Sequence, residues 1–144
     1  MTFTREMLEA APVDLELGVE ELAEAIDAAA ACGQACTSCA NSCLGEDDVA
    51  ELSRCIALCM ACSDVCDATV RVLSQQVHAD RFVSHQLLEA CVRTCTRSAE
   101  ECERHAGHHR HCAICLRACR ACVKACSSLL ESEAFGELRK LAGG

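Results

Sequence analysis

The sequence has no tryptophan and no tyrosine, and only three phenylalanines. The large aromatic rings that anchor most cores, and on which nucleic-acid bases stack, are therefore almost missing. Proline occurs once, at Pro12, so no ring constraint interrupts a helix further along the chain. Basic residues are the minority: 13 Lys and Arg against 22 Asp and Glu leave a net charge of −9. That sign argues against neutralising a phosphate backbone or an anionic membrane surface. No apolar stretch approaches the length needed to cross a bilayer. The N-terminal segment MTFTREMLEAAPVDLELGVEELAEA carries acids throughout and has no seven-residue apolar centre. It does not read as a secretory signal, and the expectation is a cytoplasmic protein with neither nucleic acid nor membrane as a partner.

What fills the middle instead is sulfur. Of the 144 residues, 16 are Cys, so an apparent hydrophobic content of 51% is partly sulfur. The cytoplasm keeps thiols reduced, so a dense cysteine pattern there points to metal or redox chemistry before a disulfide framework. Ala, Leu, Glu, Arg and Gln recur throughout, which makes the chain all-helical. Gly45 followed by Glu46, Asp47 and Asp48 reads as one helix ending and another beginning, with acids where the helix dipole favours them. Asp80 can cap a third helix, and Gly107 can end it. The expected architecture is one domain over residues 1–144, an antiparallel up-down-up-down four-helix bundle with helices near 14–44, 47–77, 81–105 and 108–131. A short helix over 3–11 precedes it, and another over 133–141 can follow.

The cysteines repeat with a spacing of 4-3-4: Cys32, Cys36, Cys39 and Cys43; Cys55, Cys59, Cys62 and Cys66; Cys115, Cys119, Cys122 and Cys126. The third helix has Cys91, Cys95 and Cys102 in the same register, with Ser98 where a fourth thiol would stand. Cys112 extends the last row by three residues. At 100° per residue, offsets of 0, 4, 7 and 11 fall within a stripe about 60° wide and about 16 Å long. All four thiols of a helix thus share one face, and four inward faces make a tube of sulfur. Antiparallel order predicts flat layers: Cys43, Cys55, Cys102 and Cys115; Cys39, Cys59, Ser98 and Cys119; Cys36, Cys62, Cys95 and Cys122; Cys32, Cys66, Cys91 and Cys126. Leu, Ile or Val would bury far more apolar area at these sites, so cysteine as mere filling gives stability away for no structural return. Disulfides along a helix would strain the S–S geometry.

Soft thiolates select copper(I), zinc or iron–sulfur clusters. Iron–sulfur and zinc knuckles use tight loops, whereas these pairs lie on continuous helices. Charge separates the remaining candidates. A copper(I) ion that replaces one thiol proton leaves the core's net charge unchanged, while zinc with four thiolates leaves −2 per site in a desolvated interior. Multiple copper(I) ions per chain are favoured, with a zinc or cadmium thiolate buffer as the alternative. The two ends of the tube differ. Ala25, Ala29, Val70, Leu73, Leu87, Leu88, Leu129 and Leu130 should plug one of them. At the other, His105 and His108, Cys112, and Asp48 and Glu51 continue the rows, with His109 and His111 beside them. Imidazoles and carboxylates there suit ions received from a partner such as a copper chaperone. Met60 reads as packing between helices, and His78 and His85 as surface residues.

Four in-register copies of CxxxCxxCxxxC on a helical bundle, no export signal and histidines near one mouth resemble the bacterial cytosolic copper storage proteins, over residues 20 to 130 or so. The resemblance implies a homotetramer of bundles, copper(I) held by bridging cysteine pairs, and a role in holding or detoxifying copper. Ser98 departs from the pattern and should lower capacity in its layer. A regulator would need one or two sites and a basic face. A redox enzyme would need an exposed, activated thiol. The expectation is a store, not an enzyme.

Overall fold

A computed structural model of the chain describes residues 2–142. Those residues form helices and loops, with α1 at Thr4–Glu9, α2 at Val19–Leu44, α3 at Ser53–Leu73, α4 at Arg81–His105, α5 at Arg110–Leu130 and α6 at Gly136–Ala142. Single 3₁₀ turns at Val49–Leu52 and Glu133–Phe135 lead into α3 and α6. The four long helices close a ring, α2 on α3, α3 on α4, α4 on α5 and α5 back on α2. Cross-helix contacts such as Cys66 with Cys91 and Cys62 with Cys95 run in opposite chain directions, so the bundle is antiparallel, as the short connections require.

The helix limits differ from the sequence expectation for local reasons. α2 starts at Val19 rather than near residue 14, because its N-cap, Gly18, is still extended at ψ 133°. The segment after Gly45 is not yet α3: Glu46 and Asp48 turn across the bundle end to meet histidines of the opposite loop, and buried Leu52 precedes the first α-helical residue. α3 stops at Leu73 because Ser74, Gln75 and Gln76 turn their own side chains onto the Val70, Arg71 and Leu73 carbonyls, satisfying the helix end. His78 then takes the left-handed conformation at φ 58°. α4 spans the expected residues, its start fixed by Asp80 Oδ1 accepting from Val83 N–H at 3.1 Å.

At one end the core is hydrocarbon. Leu22, Ala25, Ala29, Leu73, Leu88 and Leu129 are fully or almost fully buried, with Val70, Leu87 and Leu130 partly so. The C-terminal segment folds under this end and inserts Phe135, which is wholly buried. Arg81 Nη1 donates to the Ala134 carbonyl at 2.7 Å and Arg139 to the Leu130 and Ser132 carbonyls, tying the segment down. His85 is buried at 1% exposure with its ring 5.7 Å from Phe135, which overturns its reading as a surface residue. The cause lies outside the four-helix pattern, since the covering group arrives from residues 133–135. Met60 and His78 are exposed.

Candidate metal centre

All 16 cysteines are buried and none is paired in a disulfide. Their sulfurs face one another along the bundle axis. Contacts range from 3.4 Å for Cys62 with Cys95 to 4.0 Å for pairs such as Cys55 with Cys59. A metal–sulfur bond of about 2.3 Å, the zinc value, would set two sulfurs about 4.6 Å apart across a linear ion. Small side-chain rotations therefore open each contact enough to admit one. Several sets have every donor atom within 4.8 Å of the others: Cys32, Cys66, Cys95 and Cys122; Cys32, Cys36, Cys62 and Cys119; Cys39, Cys59, Cys102 and Cys115; Cys39, Cys43, His111 and Cys112; and Cys91, Cys122 and Cys126.

These sets correct the flat layers. Cys39 groups with Cys102 and Cys115 rather than with Ser98 and Cys119, and Cys32 with Cys95 and Cys122 rather than with Cys91 and Cys126. The α2 thiols meet α5 thiols one repeat step nearer the start of α5, so sulfurs interleave between levels. The offset comes from how α2 and α5 pack and where their loops start them, and the fifth thiol of α5 takes up its two ends. Cys112 joins the α2 row at the mouth, and Cys126 is left at the far end with Cys91 and Cys122, where α2 offers only Ala29 and Ala25. Ser98 is buried among sulfurs, its Oγ 3.6 Å from Cys119, 3.8 Å from Cys59 and 4.0 Å from Cys36.

Burial favours the neutral form of two mouth thiols, Cys112 and Cys43. The Cys112 thiol is pushed up to about 12, desolvation first, against a lowering hydrogen bond from Cys39. Cys43 is raised as well, again mainly by desolvation. A metal that binds here must therefore displace protons.

The histidines and acids at this end divide by role. His111 Nδ1 lies 3.4 Å from Cys39 Sγ and 3.6 Å from Cys112 Sγ, while its Nε2 is 3.1 Å from Glu46 Oε2. It is the imidazole that reaches the sulfurs. His109 stacks on it at 5.5 Å, contacts Glu46, and donates to Asp48 Oδ2 at 3.0 Å. The hydrogen bond with Asp48 raises the His109 imidazole and lowers the Asp48 carboxyl. His105 Nε2 is held by Glu101 Oε2 at 2.8 Å. His108 and Glu51 are exposed. Two participants escaped the sequence reading. In the sequence Glu46 reads only as a helix-start acid. Glu101, buried at 5%, gathers Arg54, Arg104 and His105. The Glu101–His105 spacing of four residues was the available signal.

Fold and site together define a class: helical bundles that put contiguous reduced thiols where other bundles put hydrocarbon. The family model for copper storage proteins matches residues 19–131, and the chain belongs to that family. It is 44% identical to the copper storage protein Ccsp from Streptomyces lividans, whose structure loaded with 10 copper equivalents superposes with a TM-score of 0.87 over 88% of this chain and 97% of that one. A five-copper structure of a cytosolic copper storage protein from the same organism is 46% identical, with a TM-score of 0.77 over 78% of this chain and 94% of that one. An uncharacterised cysteine-rich protein, YhjQ, from Bacillus subtilis is 32% identical over 101 residues, 69% of this chain and 88% of its own length.

Proposed function

We propose that the protein stores copper(I), many ions per chain, on the thiolates of its core, and that it is a sequestering protein rather than an enzyme. The observation that carries this is the unbroken burial of 16 unpaired thiols in mutual contact. Each copper(I) that replaces a thiol proton leaves the charge of this interior unchanged, so the column can fill without an accumulating electrostatic penalty. Zinc would fit a single four-sulfur set but adds −2 at each. The copper-loaded relatives support the same choice.

Entry is proposed at the His- and acid-bearing end. His111 is the first nitrogen donor in contact with sulfur there, with Glu46 behind it. Asp48, Glu51, His105, His108 and His109 form the rim, a surface on which a copper chaperone could deliver. Action as one bundle over residues 1–144, a cytoplasmic location and assembly into a homotetramer belong to the same proposal.

The test is an anaerobic copper(I) titration of reduced protein against a competing chelator. Saturation approaching the cysteine count supports storage. A plateau near four ions, or displacement of copper(I) by zinc, refutes it. His111→Ala should slow loading while final capacity stays nearly the same, and an equal loss of capacity would remove the entry role.

A further inference from the structure

Glu46 leaves α2 with its backbone held in a tight turn: its N–H donates to the Cys43 carbonyl and its carbonyl accepts from Val49 N–H, both at 3.2 Å. The carboxylate is thereby carried across the mouth to the start of α5. There one oxygen, Oε2, meets two imidazoles, His111 at Nε2, 3.1 Å away, and His109 at Nδ1. His109 in turn places its Nε2 3.0 Å from Oδ2 of Asp48, two residues after Glu46. Both nitrogens of His109 are thus taken up by carboxylates, and this ring steadies Glu46. His111 differs, because Glu46 takes only its Nε2, while its Nδ1 lies 3.4 Å from Cys39 Sγ and 3.6 Å from Cys112 Sγ.

A neutral imidazole carries one N–H and one lone pair, and the hydrogen bond made by one nitrogen decides which is which. A carboxylate only accepts. Glu46 therefore claims the N–H at Nε2 and leaves the lone pair on Nδ1, aimed at Cys39 and Cys112, whose sulfurs are 3.8 Å apart. Copper(I) settling between those sulfurs displaces their thiol protons to water and finds the ring nitrogen already bare. With the other tautomer, the ring would first have to give up its own Nδ1 proton.

We infer that Glu46 is a positioning residue for copper entry: it acts through His111, fixing the tautomer and aim of that ring, while His109 and Asp48 hold Glu46 in place. This rests on the reading of His111 as the entry ligand and adds what prepares it. A carboxylate behind a metal-binding imidazole sets the ring's orientation and raises its basicity, and losing such a partner typically costs about 10–100-fold in metal affinity. The arrangement also divides the work between two loops. The loop after α2 supplies the carboxylate, and the start of α5 supplies the nitrogen that it prepares.

The experiment uses the full chain, reduced and metal-free, with 15N-labelled histidine. Its nitrogen spectrum should show His111 protonated at Nε2 and bare at Nδ1, with His111→Ala identifying the signals. Glu46→Ala should give a mixture of tautomers. Titrated anaerobically with copper(I) against a competing chelator, this variant should bind the first ion about tenfold more weakly and take it up more slowly. Glu46→Gln keeps a carbonyl oxygen at the same reach and should recover most of both losses. Asp47→Ala removes an exposed acid from the same loop and should load like the wild type. Circular dichroism checks that each variant keeps its helices. A proton on Nδ1 of wild-type His111 overturns the inference, and it does so even if Glu46→Ala does not fold. So does a Glu46→Ala variant that loads like the wild type, or an Asp47→Ala variant that loads as poorly as Glu46→Ala, which would make local charge the cause. Wild-type loading by His111→Ala is a separate outcome: it removes the entry reading, and the inference with it, whatever the tautomer.

Discussion

Raising the pH should destabilise the metal-free bundle more than the loaded one. An unfolded cysteine ionises near 8.5. In the folded chain, desolvation pushes Cys112 up to about 12 and raises Cys43 as well. The folded state therefore holds these protons more tightly than the unfolded state. Stability from this source is complete below about pH 8.5 and is lost as pH climbs toward the folded value. At pH 9.5 the loss is about 1.4 kcal/mol for each thiol still neutral in the fold. Cys112 alone therefore gives up a sizeable share of the 5–15 kcal/mol that typically separates a folded domain from its unfolded chain. Copper changes the sign of the problem, because a metal-bound thiolate has no proton left to lose. The assay is thermal unfolding by circular dichroism, anaerobic and with a non-thiol reductant, at half-unit steps from pH 7 to 10. The metal-free Tm should fall steeply above pH 8.5 while the copper-loaded Tm stays nearly flat. The loaded protein carries the same acidic surface, so it controls for charge repulsion there. Parallel curves would refute the view that buried neutral thiols dominate this dependence.

Glu101→Gln should lower stability by about 1–3 kcal/mol, since the buried carboxylate is the common partner of Arg54, Arg104 and His105. Copper capacity should be unchanged, because no sulfur depends on it, and thermal melts with a titration check both. Gly33→Ala should be neutral or stabilising by up to about 1 kcal/mol, because the added Cβ meets only the movable end of exposed Asp67 at 2.9 Å and Cys66 Cβ at 3.4 Å while alanine favours the helix; a denaturant melt showing a loss above about 1 kcal/mol would mean that α3 cannot give way there. Phe135→Ala should cost about 3–5 kcal/mol by opening a cavity under the apolar end. Its copper release should match that of the wild type, because Leu73, Leu88 and Leu129 close the column from within.

The sequence made the bundle and the sulfur stripe legible because both follow from one periodicity. A 4-3-4 spacing can lie on one face only if the residues are helical, and Asp80 and the glycines marked where helices change. Stagger between helices was not legible. Periodicity fixes the angular position of Cys39 or Cys115 on its own helix, but the axial offset between helices depends on packing and on where each loop lets a helix start. For this reason Cys112 meets Cys39 and Cys43, and the flat layers interleave. The mouth failed in the same way. His105 and His108 continued the rows on paper, yet Glu101 captures the first and the second faces solvent. His111, off the stripe of its own helix, reaches Cys39 on α2 across the bundle. Burial of His85 was hidden because residues 133–135 supply the cover, from a segment with no pattern linking it to α4.

A core of cysteine gives up apolar area at every inward position, and the fold shows where that loss is offset. The hydrocarbon is concentrated at the end away from the mouth, where Leu22, Leu73, Leu88, Leu129 and Phe135 are buried without a cysteine on the axis. The middle relies on close helix approach instead: Gly33 admits α3, and Ser63 donates to its carbonyl at 3.0 Å while meeting Thr37 at 2.6 Å. At the mouth, charge does the work, with Glu101 binding α3 to α4 and Glu46 and Asp48 binding the two loops. Anchoring at the two ends and along one seam offsets part of the apolar area that the thiols give up. A column held in this way can be empty, half full or full of ions without the helices having to move far. That independence of fold from filling lets the same side chains serve as core and as cargo hold.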